Sequence, residues 1–259
     1  MDDTDRLTLM INALTELAEE EKRAHHTAPM PDLPLLRTVL TDASPLPQEA
    51  LFLGLAEDGL PVLLNLFDPV PGPILIIGDQ ASGKTSLLQM VARAVDYLHP
   101  PSEVQYGVIT QYPGEWHIFQ GNQNSAGIYD LQDKNVQELL QSLVTWAHNN
   151  KNDGQTILLM IDDLEAMTKL DETNLRWLLL RGPSHRIWPI VTLNASQAET
   201  IEAWVSLFRT RLFGHTQKLS DSQFVTGQHN KSLDGLIAGS QFTMPEGTGW
   251  LNFWVPIID

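Results

Sequence analysis

Gly78-Asp79-Gln80-Ala81-Ser82-Gly83-Lys84-Thr85 is the stretch that decides the fold of this chain. It fits the phosphate-binding loop pattern: a glycine, four variable residues, a second glycine, a lysine and a threonine. Its flanks fit as well. Pro73-Ile74-Leu75-Ile76-Ile77 is a short apolar run of the kind that forms a buried strand. Ser86-Leu87-Leu88-Gln89-Met90-Val91-Ala92-Arg93-Ala94-Val95 has the apolar spacing of a helix. Strand, glycine-bounded loop and helix is the context the motif requires.

The chemistry follows from the residue types. Gly78 and Gly83 allow backbone angles and close approaches that a Cβ would block. The amides of residues 78–86, from Gly78 through Asp79, Gln80, Ala81, Ser82 and Gly83 to Lys84, Thr85 and Ser86, would converge on a phosphate at the helix N-terminus, where the helix dipole favours an anion. Lys84 would reach the β- and γ-phosphates, and the Thr85 hydroxyl would ligate Mg²⁺. The expected cofactors are ATP and Mg²⁺.

Composition narrows the setting. The chain has no cysteine, which excludes disulfides, thiolate metal sites and cysteine nucleophiles. No apolar run approaches a membrane span. Asp2, Asp3 and Asp5 give the N-terminus the wrong charge for a signal peptide, so a cytoplasmic location is expected. A formal net charge of -16 works against non-specific attraction to DNA or anionic membranes. It leaves room for a local basic channel in a ring-shaped assembly.

The chain divides into three parts. Residues 1–26 carry an amphipathic helix with Leu7, Ile11, Leu14, Leu17 and Ala18 on one stripe. It serves either to hold partners together or to dock on its own domain. Residues 27–48 are a proline-rich connecting segment with a short helical turn around Leu35–Leu40. Residues 49–259 are the main domain. It begins with Leu51–Leu55 and Pro61–Leu66, a β-hairpin turned at Asp58-Gly59 that leads into the loop strand. Strands at Val104–Thr110, Thr156–Ile161, Ile187–Leu193 and Arg209–Phe213 then alternate with helices at Asn135–His148, Glu172–Leu180 and Ala198–Leu207. Such alternation predicts an α/β fold with a mostly parallel sheet flanked by helices. Ser240–Met244 and Trp250–Val255 read as a terminal antiparallel pair.

Further site residues sit at strand ends. Thr156-Ile157-Leu158-Leu159-Met160-Ile161-Asp162-Asp163 is an apolar strand ending in two acids. Asp162 would hold the Mg²⁺ shell, and Asp163 would orient the attacking water. The Asp163 side chain is one methylene shorter than a glutamate. Asn194, with Gln197 close behind, ends its strand as a γ-phosphate sensor, as a ligand for the attacking water, or as a helix cap. Arg209 and Arg211 fall on one face of a strand. They serve as an arginine finger for a neighbouring subunit or pair internally with acids. Arg176, Arg181 and Arg186 are a second source of such a finger.

In these features the chain resembles the FtsK/HerA group of ring ATPases. The segment Leu53-Gly54-Leu55-Ala56-Glu57-Asp58-Gly59-Leu60-Pro61-Val62 is similar to that family's lead-in to the phosphate loop. Arg181-Gly182-Pro183-Ser184-His185-Arg186-Ile187, running to Thr192-Leu193-Asn194, resembles its Arg/Gly-rich turn and sensor strand. Arg209–Phe213, Asp221-Ser222 and Gly249-Trp250-Leu251 follow its closing order. The likeness covers about residues 50–255. It implies a RecA-like P-loop NTPase fold, a homo-oligomer of hexameric type, ATP with Mg²⁺, and movement of a polymer, either double-stranded DNA or protein. Two departures bear on the substrate. Thr110-Gln111-Tyr112-Pro113 stands where the family has Asp-Pro-Lys, and no Lys or Arg occurs between Arg93 and Lys134. A channel loop without cations cannot recruit phosphates by counterion release, so DNA is disfavoured. The alternative is a nucleotide-dependent scaffold or regulatory module with little turnover.

Overall fold

The loop strand β3 (Ile74–Gly78) has every residue buried. Each fully buried Ile or Leu side chain there contributes about 1.5–3 kcal/mol. β3 therefore sits centrally, and the domain is assembled on it. The computed structural model describes residues 33–150 and 154–259. The helix expected over residues 1–26 and the first part of the proline-rich segment lie outside the described residues.

After a short helix α1 (Leu36–Asp42) come β1 (Ala50–Ala56), β2 (Pro61–Asn65) and β3. The loop then opens helix α2 (Lys84–Leu98). Next are β4 (Val104–Thr110), a 3₁₀ segment (Pro113–Phe119), β5 (Ser125–Asp130) and helix α3 (Asn135–Asn149). β6 (Thr156–Asp162), α4 (Leu164–Thr168), α5 (Glu172–Arg181), a 3₁₀ turn (Gly182–His185) and β7 (Ile187–Asn194) follow. The C-terminal portion holds a 3₁₀ turn (Ala195–Gln197), α6 (Glu202–Val205), β8 (Thr210–Phe213), α7 (Leu219–Thr226), β9 (Gln241–Glu246) and β10 (Gly249–Trp254).

The ten strands form one sheet in the order β2-β1-β10-β9-β8-β3-β7-β6-β4-β5. From β8 to β5 all pairings are parallel, and from β2 to β8 all are antiparallel. One apolar cluster, built on Ile74, Ile76, Leu88, Val91 and Tyr106, packs α2 on one face. Leu75, Ile77, Leu140, Leu159, Leu178 and Val191 belong to a second cluster with α3 and α5. Alternate residues of β3 thus enter different clusters, as a strand covered on both faces requires.

Several expectations change in detail. The β1–β2 hairpin exists, but β2 is an edge strand, so the pair lies across β10, β9 and β8 from β3. β9 and β10 fill that gap and are internal strands. Of the helix expected over Ala198–Leu207 only the short α6 forms, and the 3₁₀ turn Ala195–Gln197 precedes it. β5, α7 and the 3₁₀ segment Pro113–Phe119 were not read from the sequence. The last is anchored by fully buried Trp116 and Phe119, contacts that no local periodicity reveals.

Candidate nucleotide site

Parallel register brings the site together. Gly78 on β3 pairs with Asn194 on β7, and Thr110 on β4 pairs with Asp162 on β6. The phosphate loop, both acids and Asn194 therefore line the C-terminal edge of the parallel strands, where open α/β sheets place their ligands.

The loop is fixed by backbone contacts the sequence does not announce. The Asp79 amide donates to the His215 carbonyl at 2.9 Å, and the Ser82 amide donates to the Asp79 carbonyl at 3.2 Å. The Asp79 carboxylate accepts from the Gln217 amide at 2.8 Å. Asp79 thus holds the segment after β8 through both its amide and its carboxylate. Gly83 has φ +97, and a Cβ there would lie 2.6 Å from the Gly239 carbonyl oxygen. Both facts demand glycine at this position. Gly78 is required by contact: its Cβ would lie 2.5 Å from Ser82 Oγ. Ala81 has φ 61, a left-handed conformation that is unfavourable for alanine.

The Lys84 ammonium lies within the curve of the loop. It donates to the carbonyls of Gly78 at 3.0 Å and Asp79 at 2.6 Å. Burial pulls its pKa down to about 8, against the opposing attraction of Asp162, Asp79 and Asp163. Thr85 Oγ1 donates to Asp162 Oδ2 at 3.0 Å. A hydroxyl and a carboxylate side by side form an all-oxygen donor set suited to Mg²⁺, which takes one or two protein ligands and completes its shell with water and phosphate oxygens. Among the described residues no cluster of three or more His, Cys, Asp or Glu could hold a metal on its own.

Thr192, which sequence reasoning missed as a site residue, locks the two acids in place. Its buried hydroxyl donates to Asp162 Oδ1 at 2.8 Å and accepts from the Asp163 amide at 2.9 Å. The only sequence signal was its position on the strand next to the double-acid strand. Asp163 has φ 102 and caps α4, with Oδ1 accepting from the Ala166 amide at 3.3 Å. Its Oδ2 accepts from Gln111 Nε2 at 3.0 Å. Burial raises the Asp163 pKa, and the Ala166 amide opposes that shift.

Asn194 is half-buried beside Gly78 and makes no side-chain cap. Its neighbour Gln197 donates to Glu165. The arginine pair is divided. β8 starts at Thr210, so Arg209 lies before the strand and is exposed. Arg211 donates to the carbonyls of Val205, Phe208 and Val225 at 3.1–3.4 Å. Its guanidinium is held by these backbone carbonyls and not by a carboxylate, the pairing that is one of the two alternatives read from the sequence. Arg176 pairs with Glu172 at 3.4 Å, and Arg186 lies over the Phe67 ring. Arg181 is exposed at the end of α5.

Fold and site together define a P-loop α/β domain with RecA-like architecture. Neither a family model nor a curated protein matches the chain. Solved structures do match in fold. The ATPase 2 and 3 segment of EssC from Geobacillus thermodenitrificans gives a TM-score of 0.69 at 14% identity, over 88% of this chain and 48% of that one. A Thermomonospora curvata EccC segment, ATPases 2 and 3 in complex with a signal sequence peptide, gives 0.64 at 14% identity, over 86% and 43%. The conjugation coupling protein TcpA, in a monomer form with ATPγS, gives 0.63 at 13% identity, over 88% and 71%. This chain spans about half the length of the EssC and EccC segments. At such identities the likeness establishes the fold: this chain has the architecture of these secretion and coupling ATPase domains.

Proposed function

We propose that this chain is an ATP-binding and ATP-hydrolysing motor domain of FtsK-like type that works in a homo-oligomer. The observation that carries the reading is the cluster of Lys84, Thr85 and Asp162 at the mouth of the loop. ATP would lie with its phosphates against the amides at the start of α2, where the helix dipole favours them. Lys84 would turn from its loop carbonyls to the β- and γ-oxygens. Thr85 and Asp162 would hold Mg²⁺, which when bound neutralises charge on those oxygens. Asp163 would orient the water for in-line attack, and Asn194, beside Gly78, would contact the γ-phosphate. Arg211 is engaged within its own domain, so an arginine acting on a neighbouring subunit would be Arg209 or Arg181.

The segment from Gln111 to Asp133 is without Lys or Arg, and the whole chain is acidic. Both favour protein over DNA as the polymer moved. The fold shared with EccC, solved with a signal sequence peptide, is compatible with that choice.

Lys84→Ala tests the site. The variant should lose nucleotide affinity by at least tenfold and lose turnover while melting as the parent does. Unchanged ATP binding and turnover in Lys84→Ala would sink the assignment. A DNA motor, by contrast, would show turnover stimulated by duplex DNA at low salt.

A further inference from the structure

The hydrogen bond between Gln111 and Asp163 has a direction fixed by the sheet. Gln111 immediately follows β4 and Asp163 immediately follows β6. The strand order runs β3-β7-β6-β4, so β4 lies on the side of β6 away from the phosphate loop. The backbone of Asp163 is tied to the loop side, through its amide and Thr192 on β7. Its carboxylate is tied to the opposite side, through Oδ2 and Gln111 Nε2 at 3.0 Å. The other oxygen, Oδ1, is occupied by the α4 cap. Gln111 itself is exposed, so nothing in the core depends on it. Its chain position is nonetheless firm. The next amide, Tyr112, donates to Thr110 Oγ1 at 3.1 Å, and buried Trp116 and Phe119 anchor the segment that follows.

We infer that Gln111 is a positioning residue that holds the Asp163 carboxylate away from the phosphate loop and thereby limits turnover. The inference rests on the reading of Asp163 as the group that orients the attacking water. Because the contact is one exposed hydrogen bond, releasing it should raise the population of correctly turned Asp163 by about fivefold. Tyr112, 63% exposed next to Gln111, puts this contact within reach of whatever occupies that face.

The test is steady-state turnover of MgATP by the full chain and its Gln111 variants, with nucleotide affinity measured separately. Gln111→Ala should raise kcat about fivefold and leave KM and melting unchanged. Gln111→Glu, which repels the carboxylate, should raise kcat at least as much. Gln111→Lys, which holds it more firmly, should lower kcat below the parent. In an Asp163→Asn background the Gln111 substitutions should have no effect. A general structural role for Gln111 would not produce this order. Should Gln111→Ala lower kcat or leave it unchanged while Lys84-dependent ATP binding persists, the positioning role is overturned and the nucleotide site stands. If neither the parent nor any variant binds ATP, the site assignment falls first and the role of Gln111 falls with it.

Discussion

Replacing Thr192 by valine keeps the shape of a buried side chain and removes one hydroxyl. That hydroxyl makes two bonds, donating to Asp162 at 2.8 Å and accepting from the Asp163 amide at 2.9 Å. A bond to a charged acceptor contributes about 1.5–3 kcal/mol, and a stranded buried amide costs about 1–3 kcal/mol. Asp162 is half-buried, so water replaces part of the first loss. A net destabilisation of about 2–4 kcal/mol remains. For a domain of this size that corresponds to a melting point lower by about 5–15 °C. Thr192→Ser keeps the hydroxyl and should lose only about 1 kcal/mol, from the buried methyl. The assay is thermal melting of the parent and both variants, with nucleotide binding measured in Mg²⁺ and in chelator. Thr192→Val should weaken binding in Mg²⁺ more than in chelator, since it loosens Asp162 and leaves the loop amides untouched. A Thr192→Val variant that melts within 1–2 °C of the parent would refute the view that this hydroxyl organises the double-acid strand.

Three further outcomes are expected. Arg211→Leu strands the carbonyls of Phe208 and Val225, while that of Val205 keeps the Phe208 amide, and should destabilise the fold by about 2–4 kcal/mol, whereas exposed Arg209→Ala should stay within about 0.5 kcal/mol. Loss of turnover with unchanged melting in Arg211→Leu would instead point to a role in trans. Gly83→Ala places a Cβ 2.6 Å from the Gly239 carbonyl at φ +97 and should cost at least about 2 kcal/mol, so a variant with parental melting and ATP affinity would show that this approach is not needed. His99 is buried with Nε2 on the Ala50 carbonyl, and burial lowers its pKa. The folded chain resists a proton that the unfolded chain accepts below about pH 6.5, so stability is full above that pH and falls as pH drops beneath it. Urea midpoints of His99→Gln should be flatter over that range than those of the parent, and equal slopes would assign the acid sensitivity elsewhere.

The fold was legible wherever local chemistry is self-sufficient. The apolar run before Gly78 could only be a buried strand, and Thr156–Asp162 announced its end by placing charge after six uncharged residues. β5 was not legible. Ser125-Ala126-Gly127-Ile128-Tyr129-Asp130 is an edge strand with little alternation, held by pairing with β4. The helix expected over Ala198–Leu207 failed for a related reason. Its apolar spacing is satisfied by Ala198, Trp204, Val205 and Phe208 burying from an irregular backbone. Apolar spacing records which residues are buried and leaves the backbone between them free.

Sequence by itself determined that this chain carries a phosphate loop on a buried strand, with an acid-tipped strand to accompany it. Those features depend on neighbours within a few residues: glycine backbone freedom, a helix N-terminus, apolar runs. Only the tertiary structure decided which groups are available for chemistry. Asp79 and Arg211 looked free and are engaged with distant backbone. Thr192 and Gln111 looked incidental and hold the two acids. Hydrogen bonds of that kind join strands far apart in the chain, and their partners are chosen by sheet order and register, which no local pattern of residues encodes.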